Sequence, residues 1–108
     1  MTTKRRVGRF TVTIQTGKRF DHIGIGDRWT AQLDGKITVL ATSPDDLLVG
    51  TTRGVVSRLE TVTGRQCARA TLDAPIDAIR ASGKLVTVTT AGGATVLLVK
   101  SLKAPKRR

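Results

Sequence analysis

The sequence predicts an all-β fold built from antiparallel four-stranded repeats, and three observations lead to this prediction. Short β-branched or alternating runs recur at 10–14, 47–51 and 85–89, and each run is followed by a turn that contains glycine. No segment shows the 3.6-residue hydrophobic period of an amphipathic helix. The chain also matches itself when it is shifted by 39 residues.

The predicted strands are joined by short turns. Residues 10–14 alternate apolar and polar side chains, which is typical of a strand with one buried face. The turns after the three runs contain Gly17, Gly54 and Gly93 and are short enough to form hairpins. The repeat places Gly54 and Gly93 at the same hairpin corner, where a positive φ would favour glycine.

The repeat is clearest between the middle and last thirds of the chain. A shift of 39 residues superimposes similar residues in pairs: Ile37 with Ile76, Leu47 with Val86, Gly54 with Gly93 and Leu59 with Leu98. An earlier copy is displaced by 37 residues and pairs Phe10 with Leu47 and Gly17 with Gly54. The complete middle unit is predicted to hold four strands, at 37–41, 47–51, 55–60 and 66–72.

This middle unit resembles one blade of a β-propeller. Residues 41–64 read ATSPDDLLVGTTRGVVSRLETVTG: a strand, a Ser-x-Asp turn, a strand ending in Gly-Thr, an x-x-Gly turn, a strand and a Thr-Gly turn. That order is similar to blades of the WD-repeat and quinoprotein-type propeller families. Arg58-Leu59 replaces the Trp-Asp pair of WD repeats, and the Gly-His pair and the quinoprotein docking signature are missing. The resemblance therefore implies the blade architecture and a scaffold role, without a quinone cofactor.

The chain is predicted to be an incomplete propeller of about two and a half blades, since closed propellers need at least about four. The blade parts span 10–35, 36–73 and 74–100, between a basic N-terminal tail at 1–9 and a basic C-terminal tail at 101–108. Two apolar sheet faces would then lack a neighbour. We therefore expect a homo-oligomer, with a dimer favoured, or a second protein that completes the propeller.

The net charge of +11 is concentrated at the two ends of the chain. Residues 10–99 hold ten cations against eight acids, so this part is close to neutral. The alternative function is therefore that of a small basic β protein that binds nucleic acid through its termini. The candidate cations are Lys4, Arg5, Arg6, Arg9, Lys100, Lys103, Lys106, Arg107 and Arg108.

Both tails are expected to be dispensable for folding, because they contain few apolar residues. If nucleic-acid binding survived their removal, the site would lie on the blade surface instead. The candidate residues there are Arg53, Arg58, Arg65 and Arg69.

Catalysis and metal binding are not predicted. His22 and Cys67 are the only histidine and the only cysteine, whereas a zinc site normally needs three or four ligands. Asp45 and Asp46 follow a proline, a pattern more typical of a turn than of an acid–base pair. We expect no enzyme activity, no cofactor and no metal site.

Two further segments have structural interpretations. The segment containing Gly24 and Gly26 lacks the third glycine of a dinucleotide-binding fingerprint and is expected to form a β-turn. Trp29 shares a strand face with Ala31 and Leu33, so core packing is favoured over a ligand-stacking role.

The sequence also indicates a compartment. No stretch approaches the roughly 20 apolar residues of a membrane helix, and no apolar signal-peptide core follows the N terminus. A single thiol suits a reducing environment. We expect a cytoplasmic protein with no membrane partner.

Overall fold

The computed structural model describes residues 2–8, 10–25, 29–43 and 46–103, and these form strands and turns without any helix. The predicted all-β class is confirmed. The described strands are β1 (Thr2–Val7), β2 (Phe10–Gln15), β3 (His22–Ile25), β4 (Trp29–Gln32), β5 (Ile37–Ser43), β6 (Asp46–Thr51), β7 (Val55–Glu60), β8 (Gln66–Thr71), β9 (Ile76–Ser82), β10 (Leu85–Thr90) and β11 (Gly93–Leu98).

The strands form three antiparallel sheets that lie side by side. The first sheet has the order β1-β2-β3-β4, the second β5-β6-β7-β8 and the third β9-β10-β11. The first strands of successive sheets contact one another, β1 with β5 and β5 with β9. This is the arrangement of adjacent blades in a propeller, and it produces a stack of 45 × 26 × 19 Å.

β6 is covered on both faces by the neighbouring sheets. Leu47 and Val49 face the first sheet, whereas Leu48 faces the third, and all three are 0% exposed. Successive side chains of a strand point to opposite faces, so a continuous apolar run contributes to both interfaces. Each buried side chain of this size stabilises the fold by about 1.5–3 kcal/mol.

Two clusters of buried apolar residues separate the three sheets. The first cluster, between the first and second sheets, comprises Val7, Val12, Ile23, Leu33, Leu47, Val49 and Leu59. The second cluster, between the second and third sheets, comprises Leu48, Val56, Ile76, Val86, Val88, Leu97 and Leu102.

Gly50 in β6 allows the third sheet to approach closely. A Cβ atom at this position would lie 2.6 Å from Cγ2 of Ile76 and 2.7 Å from Cγ1 of Val39. Neither contact can be relieved easily, because both neighbours belong to packed strands. Glycine is therefore required here by space and not by an unusual φ.

The segment expected to be an N-terminal tail forms β1 instead. It pairs with β2 along its length, from Thr2 opposite Gln15 to Val7 opposite Phe10, and Val7 is buried in the first cluster. β1 is an edge strand, and charged side chains are common on edges because they discourage further strand pairing. The first sheet is therefore complete, and two four-stranded sheets and one three-stranded sheet replace the expected two and a half blades.

Part of the expected C-terminal tail also packs against the fold. Leu102 is only 2% exposed and belongs to the second cluster. Its N–H donates to the carbonyl of Leu98 at 2.7 Å, and the N–H of Leu98 donates to the carbonyl of Lys103 at 2.8 Å. Removal of residues 101–103 would therefore expose core, contrary to the expectation that this tail is dispensable.

The ungapped repeat match is wrong in the third strand of the unit. Leu47 lies opposite Leu59 in the second sheet, but Val86 lies opposite Leu97 in the third sheet, so Leu98 is not the equivalent of Leu59. Three residues separate β6 from β7, whereas only two separate β10 from β11. A shift of one residue moves a side chain to the opposite face, so Leu98 faces outward.

The three turn glycines differ in their surroundings. Gly54 has a φ of +78° in the β6–β7 turn, and a Cβ there would lie 2.5 Å from the carbonyl oxygen of Leu72. Gly93 has a φ of +124° but begins β11, with no heavy atom within 4 Å of a Cβ. Gly17 lies in a six-residue loop, where a Cβ would collide with the carbonyl of Phe20.

Replacement of Gly54 is expected to destabilise the protein more than replacement of either glycine in the β10–β11 corner. Gly54→Ala combines a positive φ with a backbone clash, and we expect a loss of more than about 1 kcal/mol. Gly93→Ala brings only the unfavourable φ, and Gly92→Ala brings neither problem. Chemical denaturation of the three variants measures this order of stability. The effect of Gly→Ala on the unfolded chain is common to all three variants, so it does not change their ranking. Equal midpoints would contradict the described turn geometry.

Leu102 is expected to contribute to stability although it follows the last strand. Leu102→Ala removes a buried side chain from the second cluster, which typically costs about 2–5 kcal/mol. Lys103→Ala, at the exposed neighbouring position, serves as the control and is expected to leave the denaturation midpoint nearly unchanged. If Leu102→Ala unfolds at the same denaturant concentration as the control, the packing of residues 101–103 is wrong.

Candidate interaction surfaces

The residues considered for catalysis are dispersed. Within the described ranges, no group of three or more His, Cys, Asp or Glu side chains could hold a metal ion. His22 lies in the first sheet and Cys67 in the second, where the Sγ atom is 3.7 Å from the carbonyl oxygen of Arg65. Asp46 begins β6 and forms an ion pair with Arg58, so it is not a turn residue, and Asp45 lies outside the described residues.

Asp21 is the most buried ionisable group in the described part of the chain, at 5% exposure, and the sequence did not single it out. Its Oδ1 atom is 3.2 Å from the ammonium of Lys36 and accepts from the Gly17 N–H at 3.3 Å. Its Oδ2 atom accepts from the Ile37 N–H at 3.0 Å. Asp21 therefore links the β2–β3 loop of the first sheet to the start of β5 in the second.

These contacts determine the ionisation of Asp21. Burial alone would raise its pKa, but the hydrogen bond from the Ile37 N–H and the contact with Lys36 outweigh burial and lower the pKa below its usual value. The carboxylate is consequently charged at neutral pH, and its negative charge is matched by Lys36. The group has a structural role because its oxygens are occupied by protein donors.

Trp29 joins the first sheet to the β7–β8 hairpin of the second. The indole packs against the first cluster, and its Nε1–H donates to the carbonyl of Thr61 at 2.8 Å. The ring also lies directly against Gly64, where any Cβ would overlap the indole. Trp29 is thus occupied by packing and is not available for ligand stacking.

The second sheet has little uncompensated charge. Three of its arginines, which the sequence offered as a fallback binding site, form ion pairs: Arg58 with Asp46, Arg65 with Glu60, and Arg69 with Asp34 at the start of the β4–β5 connection. Arg53, the fourth, is exposed in the β6–β7 turn and has no ion-pair partner in the described ranges. Pairing of this kind lowers the attraction of a surface for an anion.

The outer face of the first sheet is polar throughout. We call it the polar end face. Strand register and burial place on it the side chains that alternate with the core positions. They are Thr2, Lys4, Arg6, Thr11, Thr13, Gln15, His22, Thr30 and Gln32. The expectation of two unpartnered apolar faces is therefore wrong at this end.

The outer face of the third sheet is mainly apolar. We call it the apolar end face. It comprises Ala78, Leu85, Ala94, Val96 and Leu98, together with Thr87, Thr89, Arg80 and Ser82. Leu85 is 41% exposed and Val96 is 43% exposed, and they are two of the four exposed large apolar side chains in the described ranges. No described sheet covers this face.

An open groove continues from the apolar end face to the end of the sheet. It has a volume of about 520 Å³ and is lined by Gly83, Lys84, Leu98, Val99, Lys100 and Ser101. The neighbouring edge of β11 is partly closed, because both backbone groups of Leu98 bond to residues 102 and 103. The edge beside Ala94 and Val96 lacks a partner strand among the described residues.

The structure does not bring the predicted terminal cations into one site. Lys4 and Arg6 lie on the polar end face, whereas Arg5 shares the opposite face of β1 with Val7. Lys100 and Lys103 follow the third sheet, so the second sheet lies between the two groups. Arg9, Lys106, Arg107 and Arg108 lie outside the described residues.

One negative result concerns membranes. In the portion of the chain that the structure describes, no helix has the length and apolar character needed to cross a bilayer.

The comparisons with known proteins support the fold. No protein-family model and no curated protein sequence matches the chain. Similar solved structures include the designed protein Ika8 (TM-score 0.63, 15% identity, 84% of this chain and 34% of that one). They also include the HIRA fragment 644–1017 (TM-score 0.63, 19% identity, 90% of this chain and 33% of that one). A third is Hsv2 of Kluyvelomyces marxianus (TM-score 0.62, 12% identity, 97% of this chain and 37% of that one). HIRA and Hsv2 are WD40 propeller proteins, and the chain spans about a third of the length of each neighbour.

Asp21 is expected to make stability depend on pH. Its folded-state pKa is below the unfolded value, so its contribution is fully present above about pH 4 and is lost as the pH falls through the folded pKa. Asp21→Asn is expected to lower the free energy of unfolding at pH 7 by about 1–3 kcal/mol. It is also expected to make the fall of stability at acid pH, which we call the acid limb, less steep. Denaturation from pH 7 to pH 2.5 measures both effects.

Asp77→Asn is the matched control, because Asp77 is an exposed carboxylate with no ion pair in the described ranges. An acid limb that is the same in the Asp21→Asn variant and the wild-type protein would contradict the structural role of Asp21.

Proposed function

We propose that the chain is a non-enzymatic protein-interaction module that docks through its apolar end face, with a second copy of the chain as the occupant. The single observation that carries the proposal is the contrast between the two outer faces of the stack. Leu85 and Val96 are more than 40% exposed at one end, whereas polar side chains cover the other. Contiguous exposed apolar surface of this kind is typical of interaction sites.

The outward positions of β11 are more apolar than the equivalent positions of β7. The equivalent positions of β7, which face the third sheet, are Val56, Arg58 and Glu60 and include two charges. In β11 these positions are Ala94, Val96 and Leu98. An apolar side chain at each outward position of β11 makes this face suited to packing against another sheet.

Charge favours a two-fold arrangement over a ring of copies joined head to tail. A head-to-tail contact would place the apolar end face against the polar end face and bury Lys4 and Arg6 without acidic partners. Two apolar end faces, in contrast, are complementary to each other and form a closed dimer. Such a dimer would contain six sheets. The propeller likeness supports an interaction role but does not specify the partner.

Arg80 and Lys84 lie at the margin of the docking surface. Their repulsion across a two-fold contact would be screened by salt, because the Debye length falls from about 10 Å at 0.1 M to about 3 Å at 1 M. Self-association is therefore expected to strengthen as the salt concentration rises.

Sedimentation velocity of the purified chain tests the proposal. The wild-type protein is expected to sediment as a dimer at micromolar concentration, and Leu85→Lys is expected to sediment as a monomer because it places a charge in the contact. Val62→Lys is the matched control, since Val62 is 69% exposed in the β7–β8 turn, away from this face.

The control variant is expected to remain dimeric. A wild-type protein that is a monomer and does not bind a hydrophobic dye would contradict the proposed contact at the apolar end face. Equal dissociation of the two lysine variants would show that added charge, and not the apolar end face, controls association.

A further inference from the structure

Among the described residues, the cations of the first sheet have no acidic partners, unlike three of the arginines of the second. β1 to β4 contain no acid, and Lys4 and Arg6 on the polar end face form no ion pair with any residue that the structure describes. Lys18 and Arg19 in the adjoining β2–β3 loop are also exposed, and neither forms an ion pair within the described ranges. Asp21, the one acid in that loop, is buried and already bonded to Lys36. The first sheet and its β2–β3 loop therefore carry exposed positive charge that no described acid neutralises.

An exposed aromatic ring lies beside these cations. Phe20 is 38% exposed, and its ring is 5.9 Å from the ring of His22 in an edge-to-face contact. His22 is on the polar end face, so Phe20 stands at the margin of that face, directly after Lys18 and Arg19 in the chain. Aromatic side chains next to cations are the usual means of stacking the bases of single-stranded nucleic acids.

Hydrogen-bonding side chains connect the ring to the cations. His22 lies opposite Gln15 on one side and Gln32 on the other, and Gln15 lies opposite Thr2. These four side chains form a row across the sheet. The next row contains Lys4, Thr13 and Thr30. With strands about 4.8 Å apart, β3 and β1 are about 10 Å apart, so a short ligand reaches both His22 and Lys4.

We propose that the polar end face binds single-stranded nucleic acid. Lys4 and Arg6, which are about 7 Å apart along β1, contact consecutive phosphates. A base stacks on Phe20, and the amides of Gln15 and Gln32 contact base edges or sugar hydroxyls. A duplex is disfavoured because its bases are stacked internally and would leave Phe20 unused. This site is separate from the apolar end face and does not depend on dimer formation.

The site replaces the earlier expectation of binding by flexible tails. Its cations are fixed on a sheet, and its ligand contacts include groups other than cations. The affinity should therefore retain a salt-independent part contributed by Phe20, in addition to the electrostatic part.

Fluorescence anisotropy with a labelled single-stranded oligonucleotide of mixed sequence, at several salt concentrations, tests the proposal. A duplex of the same length and anionic phospholipid vesicles are the competing ligands. The double variant Lys4→Gln/Arg6→Gln is expected to reduce the log–log salt slope by about 1.4, since each single-strand phosphate contact contributes about 0.7. Arg80→Gln/Lys84→Gln removes the same charge from the third sheet and is expected to change the slope far less.

Phe20→Ala tests the stacking contact independently. It is expected to weaken single-strand binding about 5- to 100-fold without changing the salt slope. Val62→Ala, which truncates another exposed apolar side chain, is expected to bind like the wild-type protein. Circular dichroism melting of each variant verifies that it is folded.

Three results would overturn the site: tighter binding of the duplex or the vesicles, equal loss of slope in both double variants, or wild-type affinity of Phe20→Ala. The Leu85→Lys variant is expected to bind the oligonucleotide normally, so a failure of the docking proposal is distinguishable from a failure of this one.

Discussion

Burial of β6 on both faces is the constraint on which the rest of the structure depends. Leu47 and Val49 close the interface with the first sheet, and Leu48 closes the interface with the third. Gly50 in the same strand lets Ile76 approach closely. One strand thereby holds three sheets together, and the stack needs no large aromatic core. The Asp21–Lys36 ion pair and the Trp29–Thr61 hydrogen bond add polar links between the first and second sheets.

The two outer faces of this stack are exposed because no further sheet covers them in the described chain. The side chains on these two faces differ in polarity. The first sheet ends in alternating Thr, Lys, Arg and Gln residues, which solvate well. The third sheet ends in Ala94, Val96 and Leu98, which do not. One end of the stack thus presents a polar face and the other presents exposed apolar side chains. The proposed dimer contact and the proposed nucleic-acid site therefore lie at opposite ends of the stack.

The net charge of each surface depends on ion pairing as well as on the positions of the charged residues along the chain. Three of the four arginines of the second sheet form ion pairs with acids, as Arg58 does with Asp46. The cations of the first sheet lack such partners in the part of the chain that the structure describes. The sequence places the excess of positive charge near the termini, and from this we expected residues 1–9 to form a tail. Residues 2–6 are polar without interruption, so the sequence carries no apolar–polar alternation that would mark β1 as a strand.

The sequence by itself determined the class of the fold, the strands of the second sheet and the repeat that joins it to the third. These features are local, since they depend on side-chain alternation and on glycine at turns. Only the tertiary structure decided that β1 is a strand, that Leu102 is core and that Leu98 faces outward. Pairing with β2 is needed to identify β1, and the packing of residues 101–103 on β11 is needed to bury Leu102. Leu98 faces outward because the β10–β11 turn is one residue shorter than the β6–β7 turn. A one-residue difference exchanges the two faces of a strand. The ungapped repeat match along the chain does not detect a difference of that size.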